Sequence, residues 1–158
     1  MKIKLDTADK ISEVISVLLL LVSVLIVALS ISGLPDIVPV HFNLKGVPNR
    51  YGSKHFLWIG PAIASFMYVG FSILAKYPQV YSFRYTPTNI EEQYRVTSKM
   101  VRGIKAGMLF FFVVLTFILV QSAQLKMIEY AVVWLVPLIL VIIFGNVIYY
   151  TIRWSKIK

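Results

Sequence analysis

Residues 14–35 read VISVLLLLVSVLIVALSISGLP, 22 positions without a single charge. A helix rises 1.5 Å per residue, so about 20 apolar residues cross the ~30 Å of bilayer hydrocarbon. Three more charge-free windows follow: Phe56–Ala75, Ala106–Leu125 and Tyr130–Ile152, of 20, 20 and 23 residues. All four are apolar nearly all round and lack the polar face that a surface helix needs. The rest of the chain is too small to cover them, with 58% of its residues apolar and 15% charged. Strands are excluded, because an open sheet edge cannot sit in lipid and none of the windows alternates as a barrel strand would. The expected fold is an all-α bundle of four transmembrane helices in one membrane domain, residues 1–158. Its spans lie at about 14–35, 56–75, 106–125 and 130–152, with an outer loop over 34–55 and a cytoplasmic loop over 76–105.

Charge placement orients the bundle. Twelve of the sixteen basic residues fall before span one, between spans two and three, or after span four. The remaining four, Lys45, Arg50, Lys54 and Lys126, fall in the other two loops. The positive-inside rule then sets both termini in the cytoplasm of a multi-pass cell-membrane protein. Basic residues beside anionic headgroups account for the net charge of +9 without nucleic acid. The first apolar stretch exceeds the ~7–15 residues of a signal-peptide core and reads as a retained anchor. With no cysteine, disulfides, thiol nucleophiles and thiolate metal sites are excluded.

The first loop holds Pro35, Pro39, Gly46, Pro48 and Gly52. Val38, Val40 and Phe42 alternate with Pro39, His41 and Asn43, the period of a strand. A turn through Leu44-Lys45-Gly46 and a return through Val47–Tyr51 complete a hairpin, and Ser53 caps the helix beyond it. In the second loop, Tyr77, Tyr81 and Tyr85 suit the headgroup layer. Thr88 and Glu91 match a capping box opening an amphipathic helix. Its stripe runs through Ile90, Tyr94, Thr97, Val101, Ile104 and Met108. Arg95, Lys99 and Arg102 gather elsewhere on its surface, with Glu91 in reach of Arg95 at i,i+4. The helix reads either as an extension of span three packed on a neighbour or as a partner- or lipid-docking surface carrying those three cations. Around Lys126 the third loop is a tight turn that makes spans three and four antiparallel neighbours.

The charge-free cores hold none of the ionisable groups on which pumps, proton-coupled transporters and voltage sensors rely. Gln121 and Asn146 read as interhelical hydrogen bonders. Chemistry concentrates in the first loop, at His41, Asn43, Lys45, Asn49, Arg50, Tyr51, Lys54 and His55, with Asp36 nearby. Two histidines and one aspartate barely reach the count a structural zinc needs, so neither metal nor other cofactor is expected. An imidazole suits general acid–base work, yet no nucleophile or second carboxylate accompanies His41. Bracing of the hairpin by His41 and Asn43 through backbone bonds ranks first, and a rigid, cationic and aromatic binding surface second.

These residues carry a family resemblance. Leu34-Pro35-Asp36-Ile37-Val38-Pro39-Val40-His41-Phe42-Asn43, then Gly46, then Arg50-Tyr51-Gly52-Ser53-Lys54, resembles the motif of a prokaryotic membrane domain of unknown function, LP-x-x-[IV]-P-x-HF-[ND]-x-x-G with an aromatic, a glycine and a lysine after it. That domain forms the front module of the SdpI-like immunity proteins, which protect against the SDP killing-factor toxin. Tyr77-Pro78, Tyr81, Thr88-Asn89 and Gln93-Tyr94-Arg95 resemble its second half, so the likeness covers roughly residues 15–105. The immunity proteins continue with a second membrane module bearing a Gly-Asn-x-x-Pro-type motif, and Gly145-Asn146 here lacks the proline. The resemblance implies a non-enzymatic membrane protein of immunity or receptor type, whose outer loop recognises a peptide toxin or a membrane partner. His41, Asn43, Gly46, Arg50, Tyr51 and Lys54 are its candidate ligand-binding residues. The rival readings are a membrane enzyme or lipid-handling protein using His41 and Lys54, and a subunit or homo-oligomer within a larger membrane complex.

Overall fold

A computed structural model describes residues 5–43, 45–80, 89–124 and 129–157. These residues form four helices, α1 (Thr7–Ser30), α2 (Ile59–Lys76), α3 (Ile90–Ala123) and α4 (Glu129–Ser155), and two strands, β1 (Ile37–Phe42) and β2 (Pro48–Ser53). Single 3-10 turns at Ile31–Gly33, Lys54–Trp58 and Pro78–Val80 link them. All four helices are long and apolar enough to cross a membrane.

α1 starts seven residues before its charge-free window. Asp6 and Asp9 form a reciprocal capping box, each carboxylate accepting the other's backbone N–H at 2.9 and 3.0 Å. The buried face of α1 is narrow and small, through Asp9, Ser16, Ser23 and Val27. The Ser16 and Ser23 hydroxyls donate to carbonyls of their own helix, so they can be buried without an external partner.

α3 is the central element, packing against α1, α2, α4 and β1, whereas α4 packs along α3. Its 34 residues span about 51 Å, well beyond the hydrocarbon thickness, so span and preceding amphipathic stretch form one rod. Small residues let the helices approach. A Cβ added to Gly107 would meet Ile143 at 2.7 Å, one on Gly103 would meet the Asn146 side chain, and one on Gly60 would meet Thr116. Residue numbers rise along α3 as they fall along α4 at these contacts, so the two run antiparallel.

Two apolar clusters stack along the bundle. Ala64, Leu109 and Phe112 centre one, and Val27, Leu34, Val38, Leu57, Val120 and Ala123 form the other under the hairpin. Most other large apolar side chains face outward, among them Leu29, Phe66 and Trp134, each more than 70% exposed. Such a surface is stable only where the solvent is itself apolar, which makes this a multi-pass membrane protein.

Several sequence expectations change. α3 takes Asn89 as its N-cap with no side-chain cap bond, and Thr88 lies outside the described residues. Of the apolar stripe only Val101 is fully buried; the face turned inward carries Gln93, Val96, Ser98, Arg102 and Lys105. Ser53 does cap, accepting the His55 N–H at 3.4 Å, but on the 3-10 lead-in and not on α2 itself. The Gln121 and Asn146 side-chain oxygens are buried without a hydrogen-bond partner among the described residues, so neither oxygen makes an interhelical bond there. Leu44, Tyr81, Tyr85 and Lys126 also lie outside the described residues.

Candidate functional site

The hairpin pairs antiparallel in the register Ile37↔Ser53, Val38↔Gly52, Pro39↔Tyr51, His41↔Arg50 and Phe42↔Pro48, with irregularities on either side of His41. The Asn43 side-chain oxygen accepts the Lys45 and Val47 N–H groups at 2.9 and 3.1 Å, while its backbone N–H donates to the Val47 carbonyl. Gly46 N–H closes the turn onto the Asn43 carbonyl. Its φ of 78° lies in the left-handed region that glycine adopts without steric cost. At the base, fully buried Val38 and half-buried Val40 anchor the sheet on the cluster formed with α1 and α3.

Lys54 ties the hairpin's two ends together. Its N–H donates to the Asp36 carbonyl at 2.9 Å, and its ammonium reaches the Leu34 carbonyl at 3.2 Å and the Asp36 carboxylate at 3.1 Å. The Asp36 side chain is 92% exposed, so the ion pair adds little and the bond to the buried Leu34 matters more. His41 Nδ1 lies 2.7 Å from the Asn49 side-chain oxygen and donates to it, which leaves Nε2 open.

The six candidate residues therefore divide. His41, Asn43, Gly46 and Lys54 make bonds within the hairpin. Arg50 and Tyr51 are exposed, and their side chains have no hydrogen bond or ion pair among the described residues.

The other end of the bundle carries a constellation that the sequence reading missed. Arg102 donates to Asp9 and Glu13, both at 3.2 Å, and to the Ser98 hydroxyl at 2.8 Å. Fully buried Lys105 reaches Glu13 at 2.6 Å and the Ser72 hydroxyl at 3.1 Å, with its ammonium 5.0 Å from the centre of the Tyr68 ring. Lys99 bonds Asp6, Arg95 lies 3.8 Å from the same carboxylate, and Ser98 donates to the Ala75 carbonyl of α2. The Lys99 ammonium, with the Asp9 N–H behind it, holds the Asp6 carboxyl well below the usual range, at about 2.

The three cations expected together on a surface are thus paired with α1, and Arg102 is only 6% exposed. Each buried charge has an opposite partner and further hydrogen bonds, the condition under which burial is tolerated. Spacing held the signal: Asp6, Asp9 and Glu13 recur at 3 and 4, Arg95, Lys99, Arg102 and Lys105 at 4, 3 and 3, two complementary stripes on helix faces. Among the described residues, no group of three His, Asp or Glu side chains stands ready to hold a metal ion.

Four membrane-length helices with a braced hairpin at one end and a buried ion-pair cluster at the other define the class: a multi-pass membrane protein with a small β-hairpin. Within it, residues 18–64, from mid-α1 through the hairpin into α2, match the family described as Domain of unknown function (DUF1648). No curated protein and no solved structure matches the chain.

Proposed function

We propose that this chain is a non-enzymatic recognition protein of the cell membrane, of receptor or immunity type, which meets a peptide or another membrane protein through its hairpin. The observation that carries the reading is the division within the hairpin. Four candidates hold the backbone in place, and Arg50 and Tyr51 stand free on the result. A rigid platform with an exposed arginine and tyrosine has the composition of a binding surface, since these residue types dominate interface energetics and lose little entropy when pre-organised. The enzyme reading draws less support, because the Lys54 ammonium already has two acceptors and the His41 ring bonds the Asn49 side chain.

The orientation belongs to the same proposal. The hairpin faces outward and the ion-pair end lies in the cytoplasm, in keeping with the twelve-to-four split of basic residues. Single cysteines at Lys45 and Glu92 test it in a chain that has none. In intact cells an impermeant thiol reagent labels the first and not the second, and the reverse pattern overturns the orientation. The functional test is complementation. A strain lacking the chain becomes sensitive to a secreted peptide fraction, and the native chain restores resistance. Arg50→Ala and Tyr51→Ala, present at native level, do not. Full protection by both variants refutes the hairpin as the recognition element.

A further inference from the structure

The geometry points to the free edge of β2, over residues 49–53, as a strand-addition site for an extended acidic peptide. This rests on the recognition role proposed for the hairpin and specifies how a partner would bind.

Among the described residues the sheet has two strands, which leaves one edge of each strand without a strand partner. The Lys54 N–H to Asp36 carbonyl bond fixes which backbone groups face outward. Register is unbroken from there through Pro39↔Tyr51, and hydrogen-bonded and non-bonded pairs alternate in an antiparallel ladder. Val38↔Gly52 is therefore a bonded pair, while Ile37↔Ser53 and Pro39↔Tyr51 are not. The N–H and C=O of Tyr51 and the N–H of Ser53, whose carbonyl opens the following 3-10 turn, consequently point away from β1, two residues apart, the repeat an incoming strand requires.

The two edges are unequal. On β1 the outward position at Pro39 has no N–H, Pro39 and Val38 are buried, and the register breaks just beyond. Proline, irregular register and cover are the devices that block strand pairing. On β2, Asn49, Arg50 and Tyr51 are exposed, and the proline is confined to its first residue, Pro48. Charge selects the partner. Arg50 and Lys45 are exposed cations, the exposed rings of His41 and His55 offer further polar groups beside them, and Asp36, the acid nearest them in sequence, is tied to Lys54. An extended segment with acidic side chains complements this rim, and the backbone ladder supplies the rest of the contact.

Proline gives a direct test. Tyr51→Pro removes an N–H that faces outward and leaves the β1–β2 ladder intact. The full chain in zwitterionic nanodiscs is used to select from a random heptapeptide display library, with empty nanodiscs as control. The expected peptides are rich in Asp and Glu and in β-branched residues. Their binding falls at least tenfold on Tyr51→Pro and when alternate peptide amides are N-methylated, but less on Tyr51→Ala. Bound peptide also slows hydrogen exchange at the Tyr51 and Ser53 amides. If Tyr51→Pro fails to fold, the N-methylated peptides and the exchange pattern still decide. No enrichment over empty nanodiscs, or binding indifferent to N-methylation, overturns the proposal. So does protection of the two amides by anionic nanodiscs without peptide, which would mark a hairpin laid on the membrane. Peptide binding at this edge without the sensitivity phenotype would sink the recognition role alone. A phenotype without protection at Tyr51 would sink the edge alone.

Discussion

The polar side chains at the two ends of the bundle follow opposite rules. In the hairpin they are mostly exposed, and they bond largely to nearby backbone: Asn43 to the turn, Lys54 to the Leu34 carbonyl. At the other end they are largely buried, and side chain bonds side chain across helices 89 to 93 residues apart in sequence. Local backbone bonds fix the shape of a small element and tolerate loss, because water can replace the missing partner. Buried ion pairs tolerate loss poorly, because removing one member leaves the other charged and dry. The ion-pair end should therefore govern whether the bundle holds together, and the hairpin what it presents.

The largest effect expected is at Glu13, which bridges Arg102 and Lys105. Glu13→Ala should cost about 3–5 kcal/mol, read as unfolding in detergent micelles, because it leaves the buried Lys105 side chain without its carboxylate, beside only a hydroxyl and a ring. A cost below ~1 kcal/mol, the range of an exposed pair, would show that water reaches the cluster and would erase the contrast. Next is the α3–α4 seam, where Gly107→Ala places a Cβ 2.7 Å from Ile143 and should cost about 1–3 kcal/mol through overpacking. In the hairpin, Lys54→Ala should cost about 1 kcal/mol, mainly through the Leu34 carbonyl bond.

A smaller contribution appears only in acid. Asp6 ionises at about 2 in the folded chain against 3.8 as a free side chain, so its stabilising effect is complete above pH ~4 and fades as pH falls toward 2. Asp6→Asn should remove that part of the acid limb in a pH series of unfolding midpoints. Smallest of all, Arg50→Ala and Tyr51→Ala should change stability by less than ~0.5 kcal/mol, as exposed substitutions without partners do. Losses above 1 kcal/mol at either would make them braces, like their four neighbours.

Much of this was legible in the sequence. The charge-free windows located the spans because lipid demands length and apolarity above all. Proline, glycine and a period of two located the hairpin, because turn chemistry is local. The ion-pair cluster was not seen because Asp9, Glu13, Arg102 and Lys105 lie outside those windows: the bases were counted by side of the membrane, and the two acids of α1 were not set against them. Once paired, charges can enter a helix end, which is why α1 begins at Thr7 and not at Val14. The apolar stripe of α3 misled for the same reason: its inward face is defined by the partners α1 offers, and those partners are acids. Within the candidate site, residue types could mark all six positions, but only the hydrogen bonds separate those that brace from the two that stand free.

The cluster also has a history, written in the order of synthesis. Glu13 is made 92 residues before Lys105, the cation that meets it deepest in the protein. At 5–20 residues per second, that is a wait of roughly 5–20 s. Throughout it, α1 carries three carboxylates at one end with the answering bases of α3 still untranslated. Until they arrive those carboxylates have only water to pair with, so the α1–α3 contact can close only after the third helix has been made.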